Sequence, residues 1–589
     1  MIKPIQFYTQ EKQTLENELT SLKKLLFNIS AFRLGVFFTT VFGIYYFLGN
    51  GIIVSIVAVV GFLIFALLLV KNAKLQIEKE VLNAKIKINA TEIAVLGGDY
   101  KNLKPGTEFV DPHHFYSNDI DLFGIGSFFQ YSNRTATEEG AQAYATLLTE
   151  NNITHIEEKQ KAIQELAKKV KWRQHFTAIA GLVNPQFSST SILNYITNYT
   201  TLLPQYFENF VKVFYLISIT LILLISFGLI PFALLVIWFF IGVFISASQA
   251  KKSSHIYNKS SKAKETFKQY YQLLDELENQ PFLSKLLKEN QKKLQSEEEK
   301  ASVIFQKFSR ILDSFDQRNN LIIAVVGNAL FLWDIQNAVK VEKWISKYKH
   351  TVENWFEVIS FFDAQNTLAN FSYNHPTFVM PSIRDKSTII KATQLGHPLL
   401  SSNKRIDNDF VIDKEQFFIV TGANMAGKST FLRTVSLTMV MANIGLPVCA
   451  EAIEYSPIKL ITSMRTSDSL ADNESYFYSE LKRLKFIVDT IETEDYFIIL
   501  DEILKGTNSK DKAIGSKKFI EKLSTSKSTG IIATHDVSLC ELESEFVAIK
   551  NYYFDAEIID NELYFDYSLK NGVCKNMNAS FLLEKMEII

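Results

Sequence analysis

Thr421-Gly422-Ala423-Asn424-Met425-Ala426-Gly427-Lys428-Ser429-Thr430 decides how the rest of this chain is read. Ahead of it, Phe417-Phe418-Ile419-Val420 is apolar and β-prone, and residues 431–437 behind it carry a helical pattern. Strand, glycine-rich turn and helix in that order, with residues 422–429 matching G-x-x-x-x-G-K-[ST], predict a phosphate-binding loop. Gly422 and Gly427 let the backbone wrap so that its N–H groups point at phosphates from a helix N-terminus. Lys428 has the reach for the β- and γ-phosphates, and the Ser429 hydroxyl is a Mg²⁺ ligand by type.

Working outward, Tyr496-Phe497-Ile498-Ile499-Leu500 is a second apolar strand that ends in Asp501-Glu502. Beside a phosphate-binding loop, such an Asp holds Mg²⁺, directly or through water, and the following Glu orients or deprotonates the attacking water. Gly530-Ile531-Ile532-Ala533-Thr534 is a third strand, and His535 after it is placed to sense a γ-phosphate. Strand, loop and helix repeating in this order predict an α/β domain with a mostly parallel sheet and its ligand at the strand C-termini.

At 589 residues the chain is expected to form several domains. The formal net charge of −1 gives no global basic surplus to announce a nucleic-acid partner. Cys449, Cys540 and Cys574 are far apart and fit neither a disulfide framework nor a zinc spacing. The apolar fraction of 47% is high for so charged a chain, so apolar residues must be concentrated locally.

They are concentrated in two places. Residues 31–48 and 51–70 are apolar runs parted by the turn signal Gly49-Asn50-Gly51, and residues 213–230 and 232–247 are a second pair parted by Pro231. Each run is about long enough to cross a hydrocarbon core of roughly 30 Å. Lys23, Lys24, Arg33, Lys71 and Lys74 flank the first pair, and Lys212, Lys251 and Lys252 the second. Basic residues at both outer ends predict two transmembrane hairpins that return to the cytoplasm, in a multi-pass protein of the cell (inner) membrane. Residues 1–20 are polar and lack the apolar stretch of a cleaved signal peptide.

The remaining segments read as helical. Thr137 and Gly140 mark a helix start, and residues 255–380 are rich in Lys and Glu with interleaved Leu, Phe and Trp. Trp333, Trp344 and Trp355 recur every eleven residues, a spacing that favours core packing over a platform for stacked bases. Residues 322–333 are apolar but too short to span a membrane, and are expected to be a core helix. The adjacent pair His113-His114 beside Asp111 points two ways on any regular element, which speaks against a metal site there.

The divisions that follow are 1–30, an N-terminal cytoplasmic helix; 31–70 and 213–250, the two hairpins; 75–212 and 255–385, the two parts of an all-α core and lever; and 390–589, the nucleotide-binding domain.

The loop at 421–430 resembles T-G-x-N-M-x-G-K-S-T of the MutS mismatch-repair ATPases, in which Asn-Met is more distinctive than a generic phosphate loop. Residues 501–511 are similar to that family's D-E-x-x-R-G-T-x-x-x-D, Ala533-Thr534-His535 to its A-T-H, and residues 467–480 to S-D-x-L-A-x-x-x-S-x-F-x-x-E. Gly396-His397-Pro398-Leu399-Leu400 resembles the entry into its ATPase domain. The likeness covers roughly 115–212 and 255–589. It implies a P-loop ATPase of the ABC/MutS type that binds ATP and Mg²⁺. By this resemblance Phe410 lies against adenine, and Asn424 and Thr430 join Gly422, Gly427, Lys428 and Ser429 around the phosphates. Ser429 and Asp501 hold Mg²⁺, and Glu502 is the catalytic carboxylate, with Lys428 and His535 acting beside it. Ser475 reaches the nucleotide of the opposite subunit, which implies a homodimer.

Ala423 stands where Pro is usual, Lys505 where Arg is usual, and Asp472-Asn473-Glu474 replaces a small, basic stretch before Ser475. Residues 1–30 are too few for a mismatch-reading domain and lack its Phe-x-Glu wedge, so mismatch recognition is not expected. Action on DNA is what the family implies, while neutral charge and the missing reader domain leave it open. The alternatives are a transporter of ABC type, against which stand the uncharged hairpins and the lack of an L-S-G-G-Q run, and a membrane scaffold gated by ATP.

Overall fold

The computed structural model describes residues 3–182, 189–295, 299–385, 387–465, 476–559 and 562–575. Its first elements are two long antiparallel helices, α1 (Pro4–Tyr46) and α2 (Gly51–Leu96). Pro4 starts α1, where its missing N–H would have had no partner in any case. Asn50 caps α2 by accepting from the Ile53 N–H at 3.4 Å. A stripe of Leu15, Leu19, Leu22, Leu26 and Ile29 is buried at steps of three and four. Beyond Ile29 the character reverses: Phe32, Phe38, Phe42 and Tyr45 on α1 and Ile52, Ile56, Phe62 and Leu67 on α2 are exposed. Both helices run unbroken through the change, so α1 crosses residue 30 and α2 crosses residue 70. At 43 residues α1 is about 65 Å long. The helices meet closely at Gly61, where a Cβ would lie 2.2 Å from Thr40 Oγ1.

The second hairpin is α3 (Phe207–Ser226) and α4 (Ala233–Ser260), reversed through Gly228 and Pro231. Phe214 stacks on Trp238 at 4.4 Å, and Trp238 Nε1 donates to Ser218 Oγ at 2.7 Å. With α1 and α2, these make four helices among the described residues that are long and apolar enough to cross a membrane.

Between and after the hairpins lies an α-helical body around an aromatic core. Trp355 is fully buried, and Trp344 stacks on Phe308 at 3.9 Å. Through its centre runs α5 (Val352–Asn374), buried on almost every face. Its Asp363 accepts from the Ala136 and Thr137 N–H groups and from Thr137 Oγ1, which fixes the start of helix Glu138–Thr149. Residues 322–333 depart from the expected core helix. Leu321, Ile322, Val325 and Val326 are exposed and only Ala329 and Leu332 are buried, because the segment packs one flank on α4 and has nothing over the other.

The C-terminal domain is built on a six-stranded sheet: β1 (Phe417–Gly422), β2 (Lys459–Ser463), β3 (Tyr496–Asp501), β4 (Thr529–Ala533), β5 (Ile549–Phe554) and β6 (Leu569–Asn571). Their spatial order is β6-β5-β1-β4-β3-β2, all parallel except β6. The central strands β1, β3 and β4 are buried along almost their whole length because helices cover both faces. One of these, α6 (Lys428–Asn443), leaves β1 directly and has all but three of its sixteen residues buried. A second, four-stranded sheet carries Thr388–Leu395 and Asn408–Asp413 against the same core.

Candidate active site

Because β1, β4 and β3 are parallel neighbours, their C-terminal ends open on one edge, and the residues that follow each strand meet there. Gly422 closes β1 at φ +150°, in a close approach where a Cβ would sit 2.6 Å from the Phe554 carbonyl. Gly427, at φ +107°, turns the chain into α6 beneath the Tyr567 ring. Between them Met425 holds a left-handed φ of +68°.

Lys428, the first residue of α6, is buried and points back into its own loop. Its ammonium donates to the Gly422 and Ala423 carbonyls at 2.8 and 3.0 Å and to His535 Nε2 at 3.2 Å. Ser429 Oγ donates to Asp501 Oδ2 at 2.7 Å, joining α6 to the end of β3. Glu502 sits at φ +49°, an uncommon backbone for a side chain, fixed by its N–H donating to the Ala533 carbonyl at 2.9 Å. Its carboxylate lies 3.3 Å from both His535 Nε2 and Lys505 Nζ. Glu480 props the turn from behind, accepting from the Leu504 and Lys505 N–H groups.

The electrostatics are mutual. Burial works to raise the Glu502 carboxyl, but Lys505 and His535 outweigh it and hold it below the ordinary carboxylate range. Burial, then the Lys428 charge, depresses the His535 imidazole against the pull of Glu502 and Asp501. Burial also depresses the Lys428 ammonium, against the pull of Asp501 and Glu502.

These groups line a cavity of about 540 Å³. Asn424, Gly427, Lys428, Ser429, Thr430, Asp501, Glu502 and His535 all border it, and Gly422 contributes its carbonyl to Lys428. Phe410 is placed elsewhere: it is 2% exposed and packs edge-on to Phe418 and Phe431 in the domain core. Ser475 and most of the stretch resembling the family signature lie outside the described residues. The cavity mouth is shaped by residues that sequence reasoning passed over: Lys404, Arg405, Ile406, Asn408 and Tyr567. A basic pair just before a strand and an aromatic among acids were the available signals. Arg405 is pinned by Asp407, and both crowd Gly396, where a Cβ would lie 2.0 Å from Asp407 Oδ1. His114, of the paired histidines, bonds to the Thr149 carbonyl and to the Tyr116 and Ser117 N–H groups, a structural role.

Sheet, glycine loop and converging charges define an ATPase-type α/β domain. Residues 418–584 match the family model for MutS domain V. The DNA mismatch repair protein MutS of Staphylococcus haemolyticus (strain JCSC1435) is 28% identical over 270 residues, which is 44% of this chain and 30% of that protein. MutS of Staphylococcus aureus (strain MRSA252) is 28% identical over 269 residues with the same coverage. The C-terminal domain is thus similar to MutS domain V, and the match spans about 30% of the length of these relatives.

Proposed function

We propose that the chain is a membrane-anchored, MutS-like ATPase in which ATP binding and hydrolysis change the arrangement of two copies. The observation that carries this is the meeting of Lys428, Ser429, Asp501, Glu502 and His535 at one strand edge, around a cavity large enough for a nucleotide. Ser429 and Asp501 would hold Mg²⁺: a hydroxyl and a carboxylate are the hard oxygen donors that ion takes, and the two already meet at 2.7 Å. When bound, that ion neutralises charge on the β- and γ-phosphates.

The chain's own groups do the rest. Lys428 exchanges its loop carbonyls for phosphate oxygens, and the loop N–H groups at the start of α6 complete the cradle. Glu502, ionised because Lys505 and His535 favour its charged form, orients the attacking water. As the water oxygen bonds to the γ-phosphorus, the bond to the bridging β–γ oxygen breaks, ADP leaves with that electron pair, and the water's proton passes by way of Glu502 to the released phosphate. Tyr567 and Ile406, at the mouth, are the surfaces available to a base.

Transmission to the hairpins runs through two docks. Asp119 of the helical body accepts from Thr462 Oγ1 and the Met464 and Arg465 N–H groups at the end of β2. At the C-terminal end of α5, Asn374 donates to Glu92 of α2 and accepts from Tyr8 of α1. Movement of the ATPase domain against the body therefore has a rigid route to the first hairpin. Both hairpins cross the membrane in this reading, with the domain on the cytoplasmic side. Action on DNA follows from what the relatives are named for.

The test is nucleotide binding and phosphate release by the purified protein with Mg²⁺. Lys428→Ala is expected to lose binding, and Glu502→Gln to bind ATP while losing turnover. Parental binding by Lys428→Ala would end the proposal. Retention of duplex DNA that weakens with salt would support action on DNA, and none at low salt would remove it.

A further inference from the structure

The segment from Leu321 to Phe331 carries no charged residue and belongs to neither hairpin. It is helical, with a π-helical turn at Ile323–Gly327 followed by Asn328–Phe331. Leu321, Ile322, Val325 and Val326 stand at i, i+1, i+4 and i+5, one face of a helix, and all four are exposed, Leu321 by 79% and Ile322 by 70%. A soluble helical body does not ordinarily leave such a face uncovered.

The opposite flank says what it faces. Gly242 of α4 touches the Ala329 backbone so closely that a Cβ there would lie 1.8 Å from its carbonyl oxygen. Ser246 Oγ donates to the Asn328 carbonyl at 3.1 Å, and the Phe331 ring lies 5.4 Å from Tyr215 of α3. Gly242 and Ser246 lie within the apolar run of α4, Gly242 between the exposed Phe240 and Phe244 and Ser246 just beyond them. The bare face of the segment therefore continues the bare apolar surface of the second hairpin.

Its ends and its backbone suit an apolar solvent. The flanking charges, Arg318 and Asp334, pair with each other at 3.0 Å, and Arg318 also donates to Ser254 Oγ, where α4 has turned polar. The chain reverses at Leu332, φ +50°. Asn328 tidies that reversal, accepting from the Asp334 N–H at 2.9 Å and donating to the Ala324 carbonyl at 3.0 Å. Eleven helical residues reach about 16 Å, roughly half a hydrocarbon core, so the segment enters and returns without crossing.

We propose that residues 321–331 are a re-entrant membrane contact, seated in the cytoplasmic leaflet against α4 with Leu321, Ile322, Val325 and Val326 toward lipid acyl chains. This rests on the reading of α3 and α4 as membrane-crossing. It joins helices Ala301–Asp316 and Trp333–Tyr348 of the body directly to the bilayer, so the body touches lipid at a place independent of the hairpin turns.

The experiment uses the full chain with its three cysteines replaced by alanine, in phosphatidylcholine–phosphatidylglycerol vesicles. Nitroxide labels are placed singly at Ile322, Val326, Phe240 and Ser346, and their collision rates with oxygen and with a water-soluble nickel chelate are compared. The oxygen-to-nickel ratio at Ile322 and Val326 is expected to match Phe240 and to exceed the water-facing Ser346 several-fold. Ratios at Ile322 and Val326 equal to Ser346, with Phe240 lipid-like, would overturn this proposal and leave the hairpin reading intact. Shielding of both labels from both reagents would mean that protein covers the face, which also overturns it. A water-like Phe240 would bring down the hairpin reading, and this contact with it.

Discussion

The two hairpins both carry exposed apolar runs long enough to cross a membrane but are fastened to the body in different ways. The first is held by a buried polar joint: Tyr8, Glu92, Arg134, Arg173, Asn370 and Asn374 bond to one another where α1 and α2 meet α5. The second is held mainly by an apolar one, in which Phe207, Val211 and Phe214 pack on Leu332 and Ile335, with single bonds at Ser246 and Ser254 beside it. Polar joints have few acceptable geometries and fail abruptly when a partner goes missing. Apolar joints tolerate sliding and lose stability in proportion to area. The first hairpin is thus the stiff lever and the second the compliant anchor. Both are continuous with helices, but only the first directs its helices into hydrogen bonds at the very end of α5, beside the entry to the ATPase domain.

The largest effect should come from Glu92→Leu. It strips the Arg134 guanidinium of its 2.5 Å partner and leaves the Asn374 amide without its acceptor. Removing one member of a buried pair costs about 3–5 kcal/mol. A fall in the thermal midpoint, with hydrogen exchange rising first at residues 4–30 and 80–96, would mark the joint as the site of failure; exchange rising first around α3 would reverse the comparison.

Next is acidification. His375 stacks on Phe371 and Phe378 and bonds to Tyr131, and burial depresses its imidazole to about 4. Between that value and the ordinary 6.5 the folded chain binds fewer protons than the unfolded one. Its contribution is therefore complete above about pH 6.5 and is lost as pH falls through the window, about 3 kcal/mol in all. His375→Gln should flatten that part of the stability profile, and an unchanged slope in the variant would assign the acid sensitivity elsewhere. Smaller again is Tyr8→Phe, which keeps the ring against Tyr373 and removes the bonds to Asn374 and Asn370. About 1–2 kcal/mol is expected, with ATP turnover preserved.

How much of this could be read from sequence depends on how local the cause is. The glycine loop, the acids after β3 and the histidine after β4 were legible because each is set by its own strand, and parallel order alone brings strand ends together. Phe410 was not, since its direction is set by the register of Asn408–Asp413 against Thr388–Leu395, a pairing no local pattern encodes. Tyr567 reaches the cavity from beyond β5, equally out of local reach. Hydropathy located the apolar halves of α1 and α2 but was silent on their continuing as single helices, because a helix does not end where its surroundings change. Residues 322–333 misled for a related reason: apolarity says that a segment avoids water, and leaves open whether protein or lipid shields it.

The smallest effect sharpens the comparison most. In the second hairpin the hydrogen bond from Trp238 Nε1 to Ser218 Oγ is the counterpart of the Tyr8 bonds in the first, at the same length of 2.7 Å. Trp238→Phe removes that donor but keeps an aromatic ring on Phe214. In an apolar surrounding such an interhelical bond is worth about 0.6 kcal/mol, because the separated helices find other partners. The compliant anchor should thus lose little, and a double variant with Tyr8→Phe should be additive to within about 0.5 kcal/mol, since the joints share no residues. A coupling well above that would mean the two hairpins move as one body, and the distinction between lever and anchor would go.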